Sequence, residues 1–436
     1  MDEKRLGLKK KIRTFILCAG IFAVVYHFSA WYTSTSDFVP SFVFSFEPYI
    51  PFISWTIVPY LTSGIFFCSI FFFCKNKDEL TTLTKRMLFI IISAGICFLL
   101  FPLRFSLIKP EANNTIFQFF FQFLSKVDSP YNQAPSLHVA FALLFWTVFR
   151  NLKSYWRALA AFWLLLLALS TITTYQHHFI DIICGAILAQ ISFIIFPFQK
   201  NNFQLRNFQV ANYYFLVGWI TVLLVLILNQ FHAHFWLILV WIVLVIFMIG
   251  YQYQKNNIHF LKDRYGNIPF YKKVFYFPYR AIYWFFWKFL RKYTKPTRIL
   301  PGLFISSKLD KTEIQDFDFN EKTFVYDLSA ELEENDVIKE KSQYFCVPFL
   351  DIGSFELIVT KKLVLQITTN YTQLPAGGKI LIHCTMGFTR SAVIGILVVK
   401  KILSLPLEEA IIIVTKANKH TVIQKYLQDF LKTNNL

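Results

Sequence analysis

Eight apolar runs govern what this chain can fold into, near 14–35, 52–74, 87–108, 134–150, 156–175, 178–198, 213–229 and 233–250. Each is about 17–25 residues, the length an α-helix needs to cross a hydrocarbon core of ~30 Å. With 52 Phe in 436 residues and a mean hydropathy of +0.46, two ordinary soluble domains are excluded. The expected architecture is a polytopic α-helical membrane domain of about eight spans. Lys9, Lys10, Lys11 and Arg13 give the first run the look of a cleaved leader, but no small-residue cleavage site ends it, so it is read as a span.

Basic residues assign the sides, because positive charge is retained in the cytoplasm. One set of connecting segments holds Lys4, Arg5, Lys9, Lys10, Lys11 and Arg13, then Lys75, Lys77, Lys85 and Arg86, then Arg150, Lys153 and Arg157, then Lys200 and Arg206. The alternate set holds Arg104, Lys109 and Lys126. For an even number of spans, both termini are cytoplasmic and 101–133, 172–178 and 229–234 lie outside. The net charge of +18 follows the same loops, which fits anionic lipid headgroups and not nucleic acid. Seven cysteines without paired spacing give neither a disulfide framework nor a zinc site. The lack of an organelle signal points to a bacterial inner (plasma) membrane.

Past residue 250 the pattern changes. Residues 251–300 form a juxtamembrane segment in which Tyr271 to Tyr293 interleave aromatics with Lys and Arg, as in a helix lying among headgroups. A ninth span is the alternative, disfavoured by Arg280, Lys288 and Arg291. Residues 301–436 alternate short strands (324–329, 344–349, 379–384) with helical runs (391–403, 407–418, 420–432), an α/β pattern long enough for one soluble domain.

At the end of the 379–384 strand stands His383-Cys384-Thr385-Met386-Gly387-Phe388-Thr389-Arg390-Ser391. A phosphate monoester needs a nucleophile ionised at neutral pH, and a thiol at a helix amino terminus beside a guanidinium ionises well below its usual ~8.5. Cys384 supplies that nucleophile. The loop's N–H groups form an anion nest, Gly387 permits close approach, Arg390 grips two phosphate oxygens, and Ser391 opens the helix and assists the departing thiol. A buried structural cysteine is the bland reading. The nine residues resemble the H-C-x-x-G-x-x-R-S signature of dual-specificity and tyrosine phosphatases, and the resemblance extends over roughly 300–436. It implies a general acid, for which Asp351 stands at the expected place after a strand. A turn-forming Asp before Gly353 is its bland reading, and Asp327 is read as structural. Met386 and Phe388 replace the basic loop residues of phosphoinositide-directed relatives, which disfavours a highly charged inositol headgroup.

A second constellation lies in the apolar half. Pro135-Ser136-Leu137-His138 opens one run and His177-His178-Phe179-Ile180-Asp181 another. On a helix His177 and Asp181, four apart, share a face, so the carboxylate holds one imidazole nitrogen while the other attacks phosphorus. His138 can protonate the leaving oxygen, and Ser136 with nearby N–H groups can bind phosphate. Interfacial aromatic-like anchors are the bland reading. These residues resemble the type 2 phosphatidic acid phosphatase (PAP2) superfamily over roughly 85–200, with Leu137 where the family has Gly and Thr171 where it has Arg. FPLRFSLIKP matches the first family motif loosely, and Arg104 or Lys109 would have to supply the missing phosphate grip. PSLHVA and HHFID are nearest to the inositolphosphorylceramide-synthase-like branch, which moves a phospho-headgroup between lipids. His178 is secondary.

The leading expectation is a phosphoric monoester hydrolase with two phosphate sites, working through a phosphohistidine outside and a phosphocysteine in the cytosol, on membrane lipids. The runner-up is a headgroup phosphotransferase fused to a regulatory protein phosphatase acting on phosphoproteins. A third reading makes the membrane domain a lipid-binding anchor. Neither chemistry calls for a metal or other cofactor.

Overall fold

The computed structural model describes residues 7–112, 114–198, 206–230 and 236–433. Lys4, Arg5 and Lys200 of the charge pattern and 231–234 of the last outer loop lie outside these. The chain divides into two units, 1–200 with 215–243, and 201–214 with 244–436.

The first unit is helical: α1 (Leu8–Ser34), α2 (Ile57–Phe73), α3 (Lys77–Leu100), α4 (Thr115–Val127), α5 (Leu137–Phe149), α6 (Ser154–Thr173) and α7 (Phe179–Ile195). Two more, α8 (Arg206–Gln230) and α9 (Trp236–Gln254), contribute residues to both units. Each of the eight apolar runs contains a helix among its described residues. Among the described residues five helices are long and apolar enough to cross a membrane: Leu8–Ser34, Ser54–Phe73, Lys77–Leu100, Ser154–Thr173 and Arg206–Gln230. Leu137–Phe149, Phe179–Ile195 and Ile238–Gln254 are apolar but shorter. The 13 residues of α5 rise only about 20 Å. The 134–150 run falls short of a span because Ser136 is extended and the helix begins at Leu137.

Phe71, Leu83, Met87, Ile90, Phe145 and Leu167 build the core of this unit, with α5 packed among α2, α3, α6 and α7. Asn76 caps α3 by accepting from Glu79 N at 2.8 Å, and Glu79 returns a bond to Lys75 N at 2.6 Å. A Cβ on Gly185 would stand 2.4 Å from Ser136 O, so α7 passes directly against the start of α5. That approach brings the two histidine segments together.

The second unit holds a sheet in the order β1 (Thr297–Leu300), β2 (Leu303–Ser307), β5 (Lys379–Cys384), β3 (Thr323–Ser329), β4 (Gln343–Phe349). Only β1 and β2 pair antiparallel. Ile380, Leu381 and Ile382 of the central strand are fully buried, the continuous apolar run a two-sided parallel strand requires. Around the sheet lie α12 (Lys311–Phe317), α13 (Asp336–Lys341), α14 (Leu357–Thr372), α15 (Arg390–Leu403), α16 (Leu407–Ala417) and α17 (Lys425–Thr433). Parallel α/β sheets place ligands at the carboxyl ends of their strands, and Cys384 ends β5 there.

The juxtamembrane segment belongs to this second unit. It folds as α10 (Phe270–Phe275) and α11 (Phe277–Leu290), neither of which is long enough to span. Buried Tyr279 and Trp287 face the α/β unit, with Trp287 Nε1 donating to Lys308 O at 2.6 Å, while Ile282, Trp284, Phe285, Phe286 and Phe289 are exposed. Lys262, completely buried, donates to Asp327 at 2.6 Å.

Candidate active sites

In the helical unit the expected pair forms: His177 Nδ1 and Asp181 Oδ2 are 3.3 Å apart, both buried. They do not share a helix face, since α7 starts at Phe179 and His178, its extended cap residue, precedes it. Asp181 reaches back over the helix start instead, accepting from His178 N at 2.8 Å. Thr171 O receives both Gln176 N and His177 N, at 3.1 and 3.0 Å, and so shapes the turn that presents His177. The rings of His138 and His177 lie 5.6 Å apart. Ser136 N donates to Asp181 O at 2.8 Å, and the buried Ser136 Oγ has no hydrogen-bond partner among the described residues.

His178 is bound elsewhere. Its Nδ1 stands 2.8 Å from Glu47 Oε2, and its Nε2 accepts from Ser106 N at 3.2 Å. It ties the loops before α2 and after α3 to the start of α7. Arg104 and Lys109 are exposed, and the Lys109 ammonium lies 5.6 Å from the Phe121 ring. No described hydrogen bond or ion pair joins either side chain to His138 or His177.

Sequence reasoning missed Asp128. His138 and His177 open onto a cavity of 320 Å³ that Tyr26, Tyr60, Asn132 and Asp128 also line. Tyr60 stacks on His138 with centroids 4.2 Å apart and donates to Asp128 at 2.8 Å, while Tyr26 donates to the other oxygen. Burial works against ionisation of Asp128, but His138 and the two tyrosine hydroxyls outweigh it, holding the carboxyl below its usual range.

In the α/β unit the loop after β5 folds as expected. Gly387, at φ +79°, donates its N–H to Cys384 Sγ at 3.2 Å. A Cβ there would come within 2.5 Å of Ser307 N, so glycine is required on both counts. Ser391 Oγ lies 3.6 Å from Cys384 Sγ. Arg390 opens α15 and turns Nη1 onto Glu331, at 3.0 and 2.9 Å, and onto Phe349 O at 2.8 Å. Its Nη2 makes no hydrogen bond among the described residues and stands 3.4 Å from Asp351 Oδ1. Burial opposes the charge on Arg390, but Glu331 and Asp351 hold it protonated, well above even its usual value. Cys384, Gly387, Arg390, Ser391 and Asp351 are thus gathered at one point.

Glu331, the residue that fixes Arg390, was also missed; Thr385 Oγ1 donates to it as well. The only signal in the sequence is an acid two residues past the end of a strand. Asp327, Glu334 and His383 form a group among the described residues whose ligand atoms lie within 4.8 Å, a metal-capable set that the sequence did not disclose. Two ammonium groups already occupy it: Lys262 on Asp327 and Lys308 on Glu334, each at 2.6 Å. Burial opposes ionisation of Asp327, but Lys262 and His383 outweigh it and depress its pKa strongly.

Residues 56–195 match the model of the PAP2 superfamily, an earlier start than the motifs alone mark. No curated protein sequence matches this chain. Among solved structures it is similar to Tk-PTP in its active form, at 21% identity over 32% of this chain and 95% of that one, with a TM-score of 0.28. It is similar also to the human tyrosine phosphatase-like serine/threonine/tyrosine-interacting protein, at 18% identity over 32% and 98%, TM-score 0.27. PTPMT1 in complex with PI(5)P matches at 20% identity over 32% and 94%, TM-score 0.28.

Proposed function

We propose that this chain is a membrane phosphatase with two separate phosphate sites, both acting on phosphorylated lipids. The observation that carries the reading is that each unit pairs one nucleophile with its own activating and anion-holding groups. In the helical unit His177 Nε2 attacks phosphorus while Asp181 holds Nδ1 and stabilises the imidazolium, and His138 protonates the departing oxygen. In the α/β unit Cys384 attacks, the 385–390 loop and Arg390 hold the equatorial oxygens, and Asp351 protonates the leaving group. A bacterial plasma membrane, with the cysteine site in the cytosol and the histidine site outside, fits the charge pattern of the loops. The aromatic outer face of α11 would then lie among cytosolic headgroups, close to a lipid substrate.

Incubation with phosphatidic acid labelled in its phosphate, followed by rapid denaturation, tests this. Two phosphoenzymes are expected, one lost in His177→Ala and the other in Cys384→Ser; a label surviving both substitutions contradicts the assignment.

Asp128 favours a second reading at the histidine site, headgroup transfer of the inositolphosphorylceramide-synthase type. A phosphomonoester brings about −1.5 to −2 charges at neutral pH, and here it would meet a carboxylate with no guanidinium at position 171 to compensate. A phosphodiester brings one charge and can turn a headgroup hydroxyl or ammonium towards Asp128. Labelled headgroup appearing on an added acceptor lipid supports transfer; label found only as free phosphate rules it out.

A further inference from the structure

The loop that carries Asp351 is held almost entirely by residues that precede the α/β domain in the chain. Arg206, the first residue of α8, donates Nε to Ile352 O at 3.0 Å, and Tyr426 donates its hydroxyl to the same carbonyl at 3.2 Å. The Arg206 guanidinium also lies 4.6 Å from the Tyr426 ring. Asn207 Oδ1 accepts from Ser354 N at 2.9 Å, and its Nδ2 donates to Asn256 Oδ1 at 2.6 Å, just beyond α9. Tyr253, in the last turn of α9, donates to Asp351 O at 2.9 Å. From α11, Tyr283 donates to the Asp351 carboxylate itself, at 3.1 Å from Oδ2.

The loop would not keep this shape unaided. Ile352 has φ +55°, a left-handed conformation that a β-branched residue adopts only where its surroundings force it. At Gly353 a Cβ would stand 2.6 Å from Asn207 Oδ1, so the loop approaches the start of α8 as closely as backbone allows. Strain beside a reacting group, fixed by hydrogen bonds from four other elements, is how a loop is held in one working position.

We propose that Tyr283 and Asn207 are positioning residues for Asp351, so that the ends of α8 and α9 and the juxtamembrane helix α11 are parts of the cysteine site. The inference rests on the reading of Asp351 as the general acid. In the first half-reaction the bond from Cys384 Sγ to phosphorus forms, the ester P–O bond breaks, and the Asp351 proton passes to the leaving oxygen. In the second, water attacks the phosphocysteine, the carboxylate takes a water proton, and the thiolate departs. Tyr283 donates to Oδ2, which accepts whether Asp351 is ionised or protonated on Oδ1, so the tyrosine can hold the carboxyl in both halves while Oδ1 carries the proton.

The test uses the full-length protein in detergent with His177→Ala, so that only the cysteine site reports, and with Cys384→Ser added as the blank. Two soluble substrates are compared: para-nitrophenyl phosphate, whose leaving group departs without a proton, and phenyl phosphate, whose leaving group needs one. Asp351→Asn is expected to lower kcat on phenyl phosphate by about 100-fold and on para-nitrophenyl phosphate only a few-fold. Tyr283→Phe, which keeps the ring and its packing, and Asn207→Ala should reproduce that pattern at about tenfold on phenyl phosphate. Retained turnover of para-nitrophenyl phosphate shows that the variants are folded. Equal losses on both substrates, or no loss on either, would overturn the proposal by reducing these contacts to general packing. If Asp351→Asn itself shows no dependence on the leaving group, the acid assignment fails and takes the proposal with it.

Discussion

The two proposed phosphate sites are built of opposite materials. In the α/β unit Arg390 is locked through Nη1 by the buried Glu331, and its Nη2 stands 3.4 Å from Asp351 Oδ1. In the helical unit the cavity beside the histidines holds a carboxylate fixed by two tyrosine hydroxyls. Burying a full charge is costly unless it is paired and hydrogen-bonded. The α/β unit meets that cost with full ion pairs, Arg390 on Glu331 and Lys262 on Asp327, whereas the helical unit sets its buried carboxylates against imidazoles, in His177–Asp181 and His178–Glu47, or against tyrosine hydroxyls, at Asp128.

The comparison is broken most severely at Lys262. Lys262→Met leaves Asp327 buried without its ammonium, and loss of one partner of such a pair costs about 3–5 kcal/mol. Thermal melting should show the α/β unit destabilised and the helical unit unchanged. The sign with pH follows from the depressed pKa of Asp327. The stability it contributes is present above the ordinary carboxylate value of about 3.9 and is lost only as pH falls towards the folded value. The wild type should therefore hold this contribution down to the acid range, whereas the variant lacks it at neutral pH.

Next in size is Glu331→Gln, which replaces a charged anchor by a neutral one. Turnover at the cysteine site is expected to fall about 100-fold as Arg390 loses its fixed orientation, while the histidine site continues unchanged. Steady-state rates on a phosphotyrosine peptide read the cysteine site, and rates on lipid with Cys384→Ser added read the histidine site. The smallest effect sharpens the contrast. Asp128→Asn should raise turnover of phosphatidic acid by severalfold and lower transfer from a phosphodiester lipid by about tenfold, since one charge at close range is worth roughly 1–2 kcal/mol. Equal loss on both substrates would instead make Asp128 a support for His138 through Tyr60.

The cysteine loop was legible because its chemistry is local: nucleophile, glycine and arginine must lie within seven residues on one turn between a strand and a helix. The apolar helices were legible through length and composition. What escaped the reading arrives by tertiary folding at no fixed spacing. Glu331 and Asp128 come from loops, and Lys262 from the juxtamembrane segment, ahead of the stretch expected to lie among headgroups. The stretch 101–133, read as a loop, contains α4, whose Leu124, Phe117, Phe120 and Phe121 turn towards Ile57 and Tyr60. His177 and Asp181 do meet, but not across a shared helical face, because α7 starts at Phe179, two residues past His177.

The most direct test of two independent sites is phosphate release by the full-length protein from phosphatidic acid and from a phosphotyrosine peptide, comparing wild type, His177→Ala and Cys384→Ser. Two sites predict that Cys384→Ser abolishes release from the peptide, and that each single variant keeps part of the lipid activity that the double variant loses. If Cys384→Ser alone removes all release from both substrates, and no headgroup appears on an acceptor lipid, the histidine site is not an enzyme and the account is wrong.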